Sequence, residues 1–436
     1  MTVYWGIMPK PIYFYVELNS AVAIDFSLLP NGNPGIGGTQ YATLCLALEL
    51  SKNELNEIGL IAPFVLEVPD GMTFILKDSL NEAVRFVESS NGILVFRPTI
   101  TLEPSFTSLI ATTTAELIAW THVTPSQRTL RKLARSKSVK AIVALGKRQL
   151  LSWIDNPAAG KTIIIKNGQY IPKNVYPSLG SPKYVTYLGS MVPQKGFHLL
   201  AKVWPRIHLQ NPQLRLKVIG SGSLYDANAR LGDHGIASHE YEEVFMNSLG
   251  NSSIAVDFLG KVGAGEKNLI IVNSYLGIVN PSGNTENCPA AALDFQALEV
   301  PVISARKNGL IDTVLNGKTG VLFRDHAEIP EIVNFLIENE DIRNSLSRNC
   351  LEFVQSEFNF QSITAEWEAL FTHSDSENPR KRVSYADALS KTEKLAFINA
   401  KLGTRFFGRF FWPTTLEILN WSKKVAKRLL MMLKQP

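Results

Sequence analysis

The stretch VNPSGNTENCPAAALDFQALEVPVISARKNGLIDTVLNGKTG, Val279 to Gly320, decides how the rest of the chain is read. It is entered through the apolar, β-branched run Leu276-Gly277-Ile278-Val279, which predicts a buried strand ending at Asn280-Pro281. Ser282 to Cys288 is too rich in polar residues and glycine to continue any regular element. Pro289 then stands where a first helical residue belongs, followed by Ala-Ala-Ala-Leu, with Asn287 or Cys288 as the cap. The helix is expected to stop near Glu299, because Pro301 restricts Val300, and Pro301 to Ser304 reads as the next strand. Strand, loop, helix and strand make one βαβ unit, and open α/β sheets bind ligands in the crevice at the carboxyl ends of their strands. Glu286 falls in that loop, and Asp294 about one and a half turns into the helix.

Working outward, 436 residues are too many for one ordinary core, so two or three units are expected. A hydrophobic content of 45% excludes wholesale disorder. Three cysteines, Cys45, Cys288 and Cys350, are too few and too far apart for a disulfide framework or a metal knuckle, and they fit a reducing, cytoplasmic setting. The N-terminal stretch MTVYWGIMPKPIYFYVEL has no basic region followed by a long apolar block, and no window approaches the roughly 18 apolar residues of a spanning helix. The net charge of +5 is uneven: residues 375–436 carry 13 Lys and Arg against 5 Asp and Glu, a net of +8, leaving −3 for residues 1–374. The body is therefore nearly neutral, and a nucleic-acid partner is not expected.

In the first half, Pro11 to Leu18 predicts a strand, and the loop Leu29 to Gly38 leads into a helical pattern from Thr39 to Lys52, with Thr39 as cap. A glycine loop running into a helix offers free N–H groups and the positive end of a dipole, which suits a phosphate, although alone it reads equally as a tight turn. Ile58–Ala62 and Ile93–Phe96 predict further strands, each followed by helical pattern, and His122 sits at the end of a strand finishing at Trp120. Lys140–Leu145 and Thr162–Lys166 read as the last strands of this half. Three prolines and a run of glycine and serine from Asn167 to Tyr184 mark a boundary.

The second half opens with the strand Tyr184–Gly189, the segment Ser190 to Gly196 and a helix containing Leu199, Leu200 and Val203. Pro212 to Gly220 is the next strand, and Gly220-Ser221-Gly222 reads as a tight turn because Tyr225 occupies the third glycine position of a dinucleotide fingerprint. Leu224 to Asn251 is a polar helical excursion, and Val256–Gly260 another strand. Alternating strands and helices in both halves predict parallel sheets.

Glu286, seven residues, then Asp294, after Asn280-Pro281-Ser282 and before Pro301-Val302-Ile303, resembles the donor segment of family-4 retaining glycosyltransferases, whose pattern is Glu, seven residues, Glu. The block from Tyr184 through Lys195-Gly196 to Gly220 resembles the same family's Gly-Arg-x-x-x-x-Lys-Gly segment, with Ser190 in place of the arginine. Lys307 to Phe323 resembles its later glycine turn, with Asn308 in place of the first glycine, and Glu357 to Phe371 its final helix. The resemblance covers about residues 10–372 and implies the GT-B fold: α/β, two Rossmann-like domains facing across a cleft, here with a C-terminal helical extension. It implies an N-terminal Rossmann-like domain at 1–176 on the acceptor side, a donor domain at 177–355, a crossover helix at 356–372 and an extension at 373–436.

By the same resemblance, the donor is a nucleotide-diphosphate sugar bound without a metal or cofactor, and the acceptor is a saccharide or a lipid-linked molecule. The catalytic groups would be His122, Lys195 and Glu286. The donor would be bound by Gly37, Gly38, Ser190, Lys195, Gly220, Glu286, Asn287, Cys288, Pro289 and Asp294. Lys195 and the amides of Gly37 and Gly38 would hold the diphosphate, Glu286 would face sugar hydroxyls, and Asp294 would face the ribose. Ser190 and Asp294 also fit a non-catalytic homologue acting as a binding or scaffold subunit, whereas the incomplete fingerprint at Gly220 argues against a nucleotide-dependent oxidoreductase. In the extension, Thr414 to Lys434 plots as a helix with Ile418, Trp421, Val425, Leu429, Met432 and Leu433 opposite Lys423, Lys424, Lys427 and Lys434. With the aromatics and arginines from Arg405 to Trp412, residues 405–434 read either as a helix packed on the body or as a peripheral contact with the inner face of a membrane.

Overall fold

A computed structural model describes residues 10–17, 24–176, 184–224 and 230–372, together with 395, 396, 399, 414, 415 and 417–419. The basic stretch 405–434 thus lies outside the described residues except for those few. Thirteen strands are described: β1 Ile12–Tyr15, β2 Ile58–Ala62, β3 Met72–Leu76, β4 Ile93–Phe96, β5 Glu116–Trp120, β6 Val139–Ala144, β7 Thr162–Ile164, β8 Tyr184–Leu188, β9 Arg215–Ile219, β10 Val256–Gly260, β11 Ser274–Val279, β12 Val302–Ala305 and β13 Gly320–Phe323. They form two sheets, a seven-stranded one in the order β3-β2-β1-β4-β5-β6-β7 and a six-stranded one in the order β10-β9-β8-β11-β12-β13. The register pairs described are parallel, for example Ile93 with Glu116 and Ile278 with Ile303. Strands β4 and β2 are buried along their whole length, as their continuous apolar sequences dictate for sheets covered on both faces.

The chain divides into two compact units: one gathers 16–78 with 166–370, the other 10–15, 79–165 and the described residues beyond 370. In the first unit, the core under the second sheet is built on Trp204, Tyr187, Phe197, Phe245 and Phe295, all fully buried. Gly277 in β11 lets the Phe295 ring approach the sheet: a Cβ there would stand 2.5 Å from ring carbons. In the second unit, Trp153 and Phe96 are fully buried, and the helix Gln127–Arg135 covers its side of the sheet with Leu130 and Leu133.

Several boundaries differ from the sequence reading. The helix after the glycine loop begins at Gly38 with Gly37 as its cap, not at Thr39, and no side chain caps it. Pro289 is itself the cap of the helix Ala290–Ala297, since its locked φ suits the residue before the first turn as well as the first turn itself. That helix ends two residues early, with Glu299 at φ 60, because the turn into Val300 must reverse direction before Pro301. The segment after β2 contains a strand, β3, before any helix; only Met72 in it is buried, so the buried run that flagged the other strands is missing.

Candidate active site

The loop after β11 is held open by its own side chains. Asn280, at φ 40, accepts hydrogen bonds from Ser282 Oγ (2.8 Å) and Gly283 N (3.0 Å) and donates to the Asn284 carbonyl (2.9 Å). It also donates to Glu286 Oε1 at 3.1 Å, so the strand end orients the carboxylate. A second turn clamps the loop from outside: Lys307 Nζ donates to Ser282 O (3.2 Å), Asn308 Nδ2 to Gly283 O (2.8 Å) and Gly309 N to Glu286 O (3.0 Å). Asn308 does so at φ 48, the left-handed conformation that asparagine tolerates in place of the resembled glycine.

Lys195 closes a short 3-10 turn, Pro193–Lys195, and is followed by Gly196 at φ 76. A Cβ on Gly196 would stand 2.5 Å from Ser282 N, so the two turns approach each other backbone to backbone. Ser282 Oγ donates to Gln194 O across the same gap. The result is direct: the Lys195 ammonium is paired with the Glu286 carboxylate, each side chain about 15% exposed (15% and 14%). Two residues 91 positions apart thus meet in the segments that follow the neighbouring strands β8 and β11. Ser190, 5% exposed, lies just past the end of β8. Gly220, at φ 139, is compelled to be glycine because a Cβ would fall 1.9 Å from Gly189 O.

Asp294 does not stand open. Its Oδ2 accepts from Lys267 Nζ at 2.7 Å and its Oδ1 from Gln169 Nε2 at 3.2 Å. Lys267, on the helix Ala264–Val272, was not singled out in the sequence. The available signal was spacing: it lies three and four residues before Ile270 and Ile271, on the face that is buried. The neighbouring Asn268 Nδ2 donates to Asn31 O at 2.8 Å, tying this helix to the glycine loop. Within that loop Asn33 accepts from Gly35 N and Ile36 N, each at 2.9 Å, and donates to Ile36 O. Gly37 presents the amide end of the helix Gly38–Ser51, and a Cβ on it would collide with Gln40 Oε1 at 2.1 Å. Tyr41 and Cys45 on that helix have their ionisation pushed up by burial, with the Asp294 charge adding to it. The Cys288 thiol is pushed up to about 12 by burial, which disfavours its thiolate. His122 belongs to the other unit, where its ring packs on Trp120 with centroids 4.3 Å apart.

With this geometry in view, the chain can be set beside known proteins. Residues 173–352 match the family model of glycosyl transferases group 1. The segment contains Ser190, Lys195, Gly220, Lys267, Glu286 and Asp294. The capsular polysaccharide biosynthesis glycosyltransferase CapM of Staphylococcus aureus is 28% identical over 189 residues, 43% of this chain and 45% of CapM. The chain spans about half the length of the curated relatives it matches. Sucrose-phosphate synthase from Thermosynechococcus elongatus superposes with a TM-score of 0.64 at 18% identity, over 83% of this chain and 98% of that one. HepE of Anabaena, solved with UDP and glucose, does so with a TM-score of 0.59 at 16% identity, over 83% and 99%. At these identities the likeness is one of fold, and the two Rossmann-like parallel sheets are those of the GT-B class.

Proposed function

We propose that the chain is a retaining glycosyltransferase that moves a sugar from a nucleotide-diphosphate sugar to a saccharide or lipid-linked acceptor, in polysaccharide, glycolipid or glycoconjugate synthesis. The observation that carries this reading is the Lys195–Glu286 pair at the ends of β8 and β11, inside the segment that matches the family model. When the C1–O bond to the diphosphate breaks and one to the acceptor forms, negative charge grows on the departing phosphate oxygens. Lys195 supplies a preorganised cation for that charge, and amides at Gly37, Gly38 and the start of the helix Ala290–Ala297 supply dipoles. Glu286 faces hydroxyls of the sugar and Asp294 those of the ribose, and His122 is proposed as a catalytic group from the resemblance alone. With the ammonium in the role a metal ion often fills, activity is expected to persist in EDTA.

The serine at 190 removes one cation, worth at most about 4 kcal/mol for a unit charge ~4 Å from a phosphate at an effective dielectric of 20. Together with an Asp294 whose two oxygens are both engaged, this favours one second reading, a nucleotide-binding subunit without turnover. The deciding experiment offers UDP-, GDP- and ADP-sugars with and without EDTA and follows release of the nucleoside diphosphate. Release with retained anomeric configuration supports the enzyme, and tight binding without release supports the subunit. HepE, a fold neighbour, was solved with UDP, so UDP-sugars are the first to test. Among the described residues no helix is long and apolar enough to cross a membrane. We place the protein in the cytoplasm, with residues 405–434 as a peripheral contact for the inner membrane face.

A further inference from the structure

The chain's modest net charge hides a division between its two units. The second unit carries +15: +7 from residues 10–15 and 79–165, with 12 Lys and Arg against 5 Asp and Glu, and +8 from 371–436. The first unit therefore carries −10, which leaves the chain's +5. Within the second unit the charge is concentrated, since residues 117–154 contain eight Lys and Arg and no acid. Four of them, Arg128, Arg131, Lys132 and Arg135, stand at i, i+3, i+4 and i+7 of the helix Gln127–Arg135, whose other side buries Leu130, Leu133 and Ala134. They make one stripe about 10 Å long. The exposed Lys137 and Lys140 follow just beyond its end.

Helix stability accounts for only part of this stripe. The dipole favours Lys132 and Arg135 in the last turn but disfavours Arg128 in the first, and every neighbouring pair along the stripe is a like-charge contact. A face kept only for solubility mixes both signs. Two exposed isoleucines flank it. Ile100, 59% exposed, is held at the head of the helix, its carbonyl accepting from Ser126 N at 3.0 Å and Thr129 Oγ1 at 2.8 Å. Ile418, 44% exposed, follows Glu417, which pairs with Arg131 in the middle of the stripe. Asp155 accepts from Asn399 Nδ2 at 3.0 Å and from Thr415 N, so the described part of the extension is fastened to this same unit. Cations bordered by apolar side chains on a convex face complement a bilayer surface, whereas a single-stranded nucleic acid asks for aromatic platforms between the cations. We infer that the face made by Arg128, Arg135, Lys137 and Ile100 docks on a bilayer that contains anionic lipid. It is a second surface, in the body of the protein, added to the contact proposed for 405–434 and independent of the donor reading. Stable peripheral anchoring takes two signals, so both surfaces are needed.

The test measures co-sedimentation of the full chain with vesicles of phosphatidylcholine containing phosphatidylglycerol, and with vesicles of phosphatidylcholine alone. The wild type is expected to bind only the first, and less as salt rises. The triple variant Arg128→Gln/Arg135→Gln/Lys137→Gln, which leaves 405–434 untouched, is expected to weaken that binding by about 10-fold or more, a few-fold for each cation. Ile100→Ser is expected to weaken it by roughly threefold with the salt dependence unchanged. Thermal unfolding shows whether the variants fold, and Arg128→Gln/Lys137→Gln, at two exposed positions, serves if the triple variant does not. Binding unchanged in these variants confines the contact to the extension and overturns the inference. So does a wild type that binds neither vesicle or both alike, and so does a single-stranded oligonucleotide that binds more tightly than the vesicles and is lost in the same variants.

Discussion

The Lys195 ammonium and the Glu286 carboxylate are bonded to each other across the ends of two adjacent parallel strands. A cation held this way is positioned before any ligand arrives, and on the proposed function the donor's diphosphate draws it off the acid. Lys195→Ala should therefore cut turnover by ~10²–10³, comparable to losing one oxyanion donor. A loss smaller than about threefold would place the lysine away from the phosphate.

Gly309 supports the same loop from the outside. Its N–H holds Glu286 O at 3.0 Å, and a Cβ would fall 1.9 Å from Asn287 O. Because the obstacle is backbone and not a flexible side chain, Gly309→Ala must displace the Asn287-Cys288 peptide. The variant should be destabilised by about 1–3 kcal/mol, the usual cost of overpacking, in a urea unfolding experiment. It should also show a higher KM for the sugar nucleotide. An unchanged KM would mean that the position of the Glu286 loop does not matter to binding.

A pH effect is expected at His198. Burial, and then the charge of His326, hold its ionisation below the ordinary value of 6.5, while Tyr241 Oη sits 3.0 Å from its Nδ1. The unfolded chain therefore binds a proton more readily than the folded one, and stability falls as pH drops below about 6.5. Between pH 7.5 and 5.5 the urea midpoint of the wild type should fall further than that of His198→Gln. Equal losses would show that this histidine does not contribute to the acid limb.

The amphipathic reading of 405–434 can be tested at its base. Within the second unit, Glu417 is paired with Arg131 and accepts from Thr414 N at 2.9 Å. Burial alone would raise the Glu417 carboxyl, but these bonds outweigh it and hold it below the usual range. A chain ending at Ser374 should lose co-sedimentation with vesicles containing anionic lipid. Unchanged co-sedimentation would remove the membrane role of the extension.

Much of this arrangement was legible in the sequence because it rests on local chemistry. Continuous apolar runs such as Ile93–Phe96 and Leu276–Val279 announced covered strands, and Asn280-Pro281 announced where one stops. The left-handed turn at Asn308 fits its place opposite the resembled family's first glycine, a conformation asparagine tolerates. What stayed hidden depends on tertiary packing. Strand β3 has only Met72 buried, so its sequence lacks the pattern of its neighbours. Lys267 reads as an ordinary surface lysine until the glycine loop and Asp294 close over it, a contact that joins residues 32, 267 and 294. Pairing of Lys195 with Glu286 was equally invisible, because it depends on β8 and β11 being neighbours in the sheet.

The most direct measurement is a crystal structure of the full chain soaked with the sugar nucleotide it binds best. The account predicts the diphosphate within about 3 Å of Lys195 Nζ, the usual reach of a charge-assisted hydrogen bond, with Glu286 turned to the sugar. A nucleotide bound elsewhere, with Lys195 still paired to Glu286, would contradict it.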